Sequence, residues 1–153
     1  MPLTQLRNLG IVSAAGITTT KLGAGAVLQA ITASDSTQRS TTSATFVTGS
    51  NTLSVTITPS SASNKIFLIV HIYVYALDGL WTLFRGATNI GNATGGLTGA
   101  SGNISIMGAY TKLDSPNTTS ATTYQVYFKA NSGVSYTGGN NTEQYITAFE
   151  IAG

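Results

Sequence analysis

The feature that most constrains this chain is the run Lys65–Leu77, KIFLIVHIYVYAL, which is apolar on both faces of a strand. Side chains alternate across a strand, so Ile66, Leu68, Val70, Ile72, Val74 and Ala76 share one side. Phe67, Ile69, His71, Tyr73, Tyr75 and Leu77 share the other. The continuous apolar stretch, Ile66 to Ala76, has 11 residues, whereas a membrane-spanning helix needs about 20. Its β-branched and aromatic content makes it a strand. One face is expected to meet the core of a β-sheet domain. The other must be covered as well, because an exposed apolar patch of that size is rare on a monomer. A neighbouring subunit is the expected cover, and Phe67, Ile69, His71, Tyr73 and Tyr75 are the expected contact residues.

From about residue 40 the rest of the chain also runs in period two. TSATFVT (42–48), NTLSVTIT (51–58), LWTLFR (80–85), ISIMGAYTKL (104–113), TTYQVYFKA (122–130), VSYT (134–137) and QYITAFEIA (144–152) read as strands. Asn89 to Ala93 adds a short candidate. Asp78-Gly79, between two apolar runs, reads as a tight hairpin turn. TGGLTGASGN (94–103) reads as a long flexible loop. Eight to nine strands with turns every 8–12 residues predict an antiparallel β-sandwich over residues 31–153. Residues 1–30 differ. They are small, Gly-rich and nearly uncharged, with Leu3, Leu6, Leu9, Ile11, Val12, Ile17 and Leu22 as their apolar residues. This segment has too little bulk for a core of its own and reads as an extended arm that anchors the protein to a partner.

Composition narrows the function. Charged residues make up 8% of the chain and the net charge is +2, with no cationic cluster of the kind nucleic acid binding requires. No cysteine is present, which removes disulfides, thiol catalysis and thiolate zinc sites. His71 is the sole imidazole, and five acids (Asp35, Asp78, Asp114, Glu143 and Glu150) are scattered near turns and strand ends. No nucleophile elbow, phosphate loop or metalloprotease motif occurs. The expectation is therefore no catalysis, no cofactor and no metal. The N-terminus lacks a cationic start followed by an apolar stretch, so synthesis in a cytoplasm without a signal peptide is expected, with no membrane insertion. Trp81, Tyr110 and Tyr136 are the aromatics considered for stacking on a glycan, Tyr136 first because it adjoins the loop GGNN.

Several segments carry a resemblance. SVTITPSSASNKIFLIV (54–70), LFRGATNIGNATGG (83–96), LDSPNTTSATTYQVYF (113–128) and ITAFEIAG (146–153) resemble a family of bacteriophage virion proteins, either tail-fibre-like or head-decorating. GITTTKLGAGAV (16–27) is similar to the linkers that precede such domains. The resemblance implies a jelly-roll-like sandwich that forms a homotrimer on the virion surface. It also implies contact with other virion proteins, capsid or tail, and with host surface glycans. The alternative on the same fold is a free lectin or a polysaccharide-degrading enzyme.

Overall fold

The computed structural model describes residues 22–139 and 142–153. Eight strands occur there: β1 (Val27–Asp35), β2 (Arg39–Thr41), β3 (Ser54–Ile57), β4 (Lys65–Arg85), β5 (Thr88–Asn89), β6 (Thr98–Asp114), β7 (Thr122–Thr137) and β8 (Gln144–Ile151). All pairings between them are antiparallel, and no helix is present among the described residues. The expected all-β antiparallel class is thus met.

β4 is the spine. Along one edge it pairs with β6 from Ile66↔Asp114 to Trp81↔Thr98. Along the other it pairs first with β8, Lys65↔Ile151 to His71↔Tyr145, and then with β7, Val74↔Thr137 to Arg85↔Tyr124. β1 extends the β8 side, and β2 and β3 extend the β7 side.

Asp78-Gly79 is not a hairpin turn. β4 continues through it as one strand of 21 residues. Gly79 does not have the positive φ that the tight turn requires. Its register breaks between Ala76 and Gly79 against both neighbours, which marks a bulge. One extra residue exchanges the faces of everything beyond it. The even residues Ile66 to Ala76 are buried before the bulge, and the odd residues Gly79, Trp81 and Leu83 after it. β7 behaves alike: Tyr124, Val126, Phe128 and Ala130 are buried, then Ser135 and Thr137, with Gly133 at φ 68° between them. Segments 122–130 and 134–137 are therefore one bent strand rather than two. β6 has its own irregularity at Gly102 and Asn103, both at positive φ. It begins at Thr98, inside the predicted loop.

These three irregularities lie side by side and form a line across which the sheet doubles over. Straight, Ile66 and Arg85 would stand about 60 Å apart. Instead Arg85 reaches Asp114, the register partner of Ile66, with Nη1 donating to both carboxylate oxygens at 2.8 and 3.0 Å. The Tyr124 hydroxyl donates to the same carboxylate at 2.7 Å. The curled halves enclose Leu68, Ile72, Trp81, Leu83, Phe128 and Ile146, all fully buried. Each such side chain contributes about 1.5–3 kcal/mol. β3 completes the closure by lying against β1 and β8 without pairing to them.

Two further readings change. β1 begins at Val27, within the stretch read as arm, because residues 27–35 have an edge of β8 to pair with. The expected strand 42–48 reduces to a single bridge, Val47↔Phe128. The chain turns at Gly49 and Ser50, both at positive φ. A side chain at Gly49 would collide with the Phe128 ring, at 2.6 Å.

The bulge accounts for Gly79. A Cβ there would overlap Ser135 Oγ, which could rotate away only by giving up its bond to Lys129 O, and would crowd the Cβ atoms of Ala76 and Ser135, which cannot swing away. Gly79→Ala is expected to cost about 1–3 kcal/mol in urea unfolding. Gly23→Ala, which meets nothing within 4 Å, should fall within about 0.5 kcal/mol of wild type.

Candidate subunit-contact face

The two outer faces of the doubled sheet differ. Over the second half of β4 the chain covers itself. Thr82 is fully buried and donates to Asn89 Oδ1 at 2.8 Å. Ile90 and Leu97 pack on the core cluster, and Phe46 stands edge-on to Phe84 at 6.4 Å, with Lys129 Nζ 5.0 Å from the Phe46 ring. Among the described residues no such cover lies over the first half.

There the odd residues of β4, Phe67 to Tyr75, point outward and are each half-buried. Phe67 lies between its partners Leu113 on β6 and Phe149 on β8. Ile69 lies between Thr111 and Thr147, and His71 between Ala109 and Tyr145. The His71 ring stacks on Tyr145 at 5.1 Å and 21°. His71 Nδ1 is buried without a hydrogen-bond partner. Tyr73 pairs with Met107, which is 45% exposed. Tyr75 packs on Tyr136 at 5.4 Å and donates from its hydroxyl to Asn103 Oδ1 at 2.9 Å. The outward positions of β4 from Phe67 to Tyr75, β6 from Ser105 to Leu113 and β8 from Tyr145 to Phe149 include no Asp, Glu, Lys or Arg. The five residues expected from the sequence thus lie on one surface. Met107 and Leu113 join them from β6, whose pairing partner the sequence did not reveal.

The aromatics considered for glycan contact separate. Trp81 is fully buried, its ring parallel to Phe128 at 6.3 Å, because the bulge turns it into the core. Tyr110 is buried too, on the inward face of β6, and burial raises its hydroxyl pKa. Neither can stack on a sugar. Tyr136 is half-buried beside Tyr75 and keeps surface access. Of the arm residues, Leu22 is exposed and borders a shallow hollow with Leu28, Ser60 and Ala152. Leu3, Leu6, Leu9, Ile11, Val12 and Ile17 lie outside the described residues.

The buried acids fasten the fold. Asp35 ends β1 and accepts from the backbone N–H groups of Thr37 (2.8 Å) and Thr52 (2.9 Å), with Arg39 at 3.7 Å. Burial pushes its carboxyl up, but these donors and the Arg39 charge outweigh burial and hold it below the ordinary 3.8. Glu150, at the other end of the same seam, accepts from Gln29, Asn64, and both the backbone and hydroxyl of Ser60, at 2.6–2.8 Å. Burial again pushes upward and the donors again prevail, below 4.5. Gln29 also donates to Thr58 O at 2.9 Å. The seam between β1 and the segment around β3 is therefore closed at both ends by a carboxylate. The Tyr124 hydroxyl is held protonated by burial and by its bond to Asp114. Asp78 accepts from Asn131 at 3.2 Å. Among the described residues no three His or acidic groups approach as metal ligands would, and no helix is long and apolar enough to cross a membrane.

No protein family matches the chain, and no curated protein does.

The Glu150 cluster sets an acid response. Its folded pKa lies below the unfolded value, so its contribution is complete above about pH 4.5 and is lost as pH falls through the lower folded value. Glu150→Gln should cost on the order of 3 kcal/mol at pH 7, since four charge-assisted donors lose their acceptor charge. The variant's stability should also fall less steeply than wild type between pH 5 and about pH 3 in thermal unfolding.

Proposed function

We propose that this chain is a structural subunit of a virion surface, assembling as a homotrimer through the outward face of β4, β6 and β8. The observation that carries the reading is the uncharged aromatic band from Phe67 to Tyr75, with Met107 and Tyr145 beside it. Around a symmetry axis each side chain meets copies of itself or of near neighbours, so a charge there would repel its own image. A band without charges is what self-contact requires. The opposite outer face is sealed by the chain's own loops, so the bare face is a selective feature rather than a general lack of cover.

The trimer number and the virion setting rest on the resemblance of segments 54–70, 83–96, 113–128 and 146–153 to phage virion proteins. A host-glycan contact, in this reading, is confined to Tyr136 among the three aromatics considered. Four of the five acids, Asp35, Asp78, Asp114 and Glu150, are engaged by internal donors. A structural reading uses them where they stand, whereas a polysaccharide-degrading reading needs two carboxylates flanking a bound sugar.

Light scattering on the full chain at micromolar concentration is expected to give three times the 15.7 kDa chain mass. Met107→Asp should shift it to monomer with an unchanged far-ultraviolet spectrum, because that side chain is exposed within one chain. Thr56→Asp, exposed on β3, should leave the trimer intact. A monomeric wild type removes the proposal.

A further inference from the structure

β6 carries a second feature, independent of the aromatic face. It pairs with β4 along one edge, and among the described residues no strand pairs with the other. Every second residue of an edge strand directs its N–H and C=O groups away from the sheet, which makes the edge a template for another strand. Natural edges are protected by charges, proline or short length. From Thr98 to Thr111 β6 has no charged residue and no proline. Beyond its irregularity at Gly102 and Asn103, it runs regularly against β4 from Ile104 to Asp114. Ile104 and Ile106, on the inward-facing side of this edge, are 47% and 38% exposed, and among the described residues no strand lies paired beside them on the open flank. A pairing edge with uncovered apolar side chains calls for a strand that is itself uncharged and apolar.

We propose that the open edge of β6 binds residues 9–20 of the same molecule as an added strand. LGIVSAAGITTT contains no charged residue and no proline. Its Ile11, Val12 and Ile17 and its run of three threonines are residues that favour strands. The chain outside the described part is long enough. Met1 to Lys21, extended, spans about 70 Å at 3.3 Å per residue. It also starts in the right place. Gly25 is held to Ala152 at the end of the sheet where Val27 meets Ile151, Lys65 meets Ile151, and Ile66 meets Asp114. That is three strand spacings, about 14 Å, from the end of β6. Supplied by the same molecule, this strand runs parallel to β6. Strand addition supplies main-chain hydrogen bonds, with side-chain pockets at alternate positions. Ile104 and Ile106 form the wall of such pockets.

The chain has no cysteine, so disulfide trapping has no background. Ile106→Cys in the full chain is combined in turn with a cysteine at each position from 9 to 20, under mild oxidation. The expected result is efficient bonding at positions of one parity only, since a strand presents every second side chain to one face. The bonded products are expected to be monomeric on a non-reducing gel, whereas mainly dimeric products would place the donor in a second copy and overturn the proposal. Met107→Asp, which acts on the aromatic face, should leave the trapping pattern in place, so failure of the trimer and failure of this edge are separable. In parallel, Ile11→Pro with Ile17→Pro should speed amide exchange in residues 104–111 about tenfold or more, because proline cannot join the ladder. Bonding no greater than from a Thr56→Cys control, bonding without parity, disulfide-linked dimers of the Ile106→Cys single variant as the main product, or unchanged amide exchange would each overturn the proposal.

Discussion

The bulge at Ala76–Gly79 is the constraint on which the rest depends. A strand of 21 residues with a constant inward parity would give a flat or gently twisted sheet with two open faces. One extra residue exchanges the faces at mid-length. The second half then turns Trp81 and Leu83 into the core, where a regular alternation would turn Leu80 and Thr82 inward. Because β6 and β7 are irregular at the same level, all three strands bend together and the sheet closes on itself. Gly79 permits this by lacking the atom that would strike Ser135. The Arg85–Asp114–Tyr124 cluster then ties the far end of β4 to the neighbour of its beginning.

Doubling the sheet brings β1 and β3 together without a hydrogen-bond ladder between them. Buried main-chain donors along such a seam need acceptors, and unmet donors cost about 1–3 kcal/mol each. Asp35 and Glu150 meet that need at opposite ends. Each draws on residues far away in sequence: Thr52 for Asp35; Gln29, Ser60 and Asn64 for Glu150. In a chain with only five acids, this is a large share of the acidic side chains given to fastening. It also makes fold stability sensitive to acid through groups that lie nowhere near the aromatic face.

Among the described residues the same curl leaves two surfaces uncovered, the outward face of β4–β6–β8 and the open edge of β6. They meet at β6, where Met107 belongs to the face and Ile106 to the edge flank. A subunit with two adjoining apolar surfaces suits an assembly better than an isolated molecule. The sealed face over Thr82 and Phe84 shows that this chain covers apolar surface with its own loops where it can.

Sequence by itself determined the strand class, the inward and outward sets of residues 66–76, and the five outward residues that share a face. Each of these follows from a period of two within one segment, which is a local property. It misread Asp78-Gly79 as a turn, because that dipeptide between apolar runs satisfies the local chemistry of a hairpin. It also placed Trp81 and Tyr110 as candidates for sugar contact. Only the tertiary structure decided those points. A bulge is defined by the register of a strand against its neighbours, and the burial of Trp81 depends on which layer folds over it. The sequence also gave no sign that β1 starts at Val27, since an edge strand of small residues becomes a strand only when β8 offers it an edge to pair with.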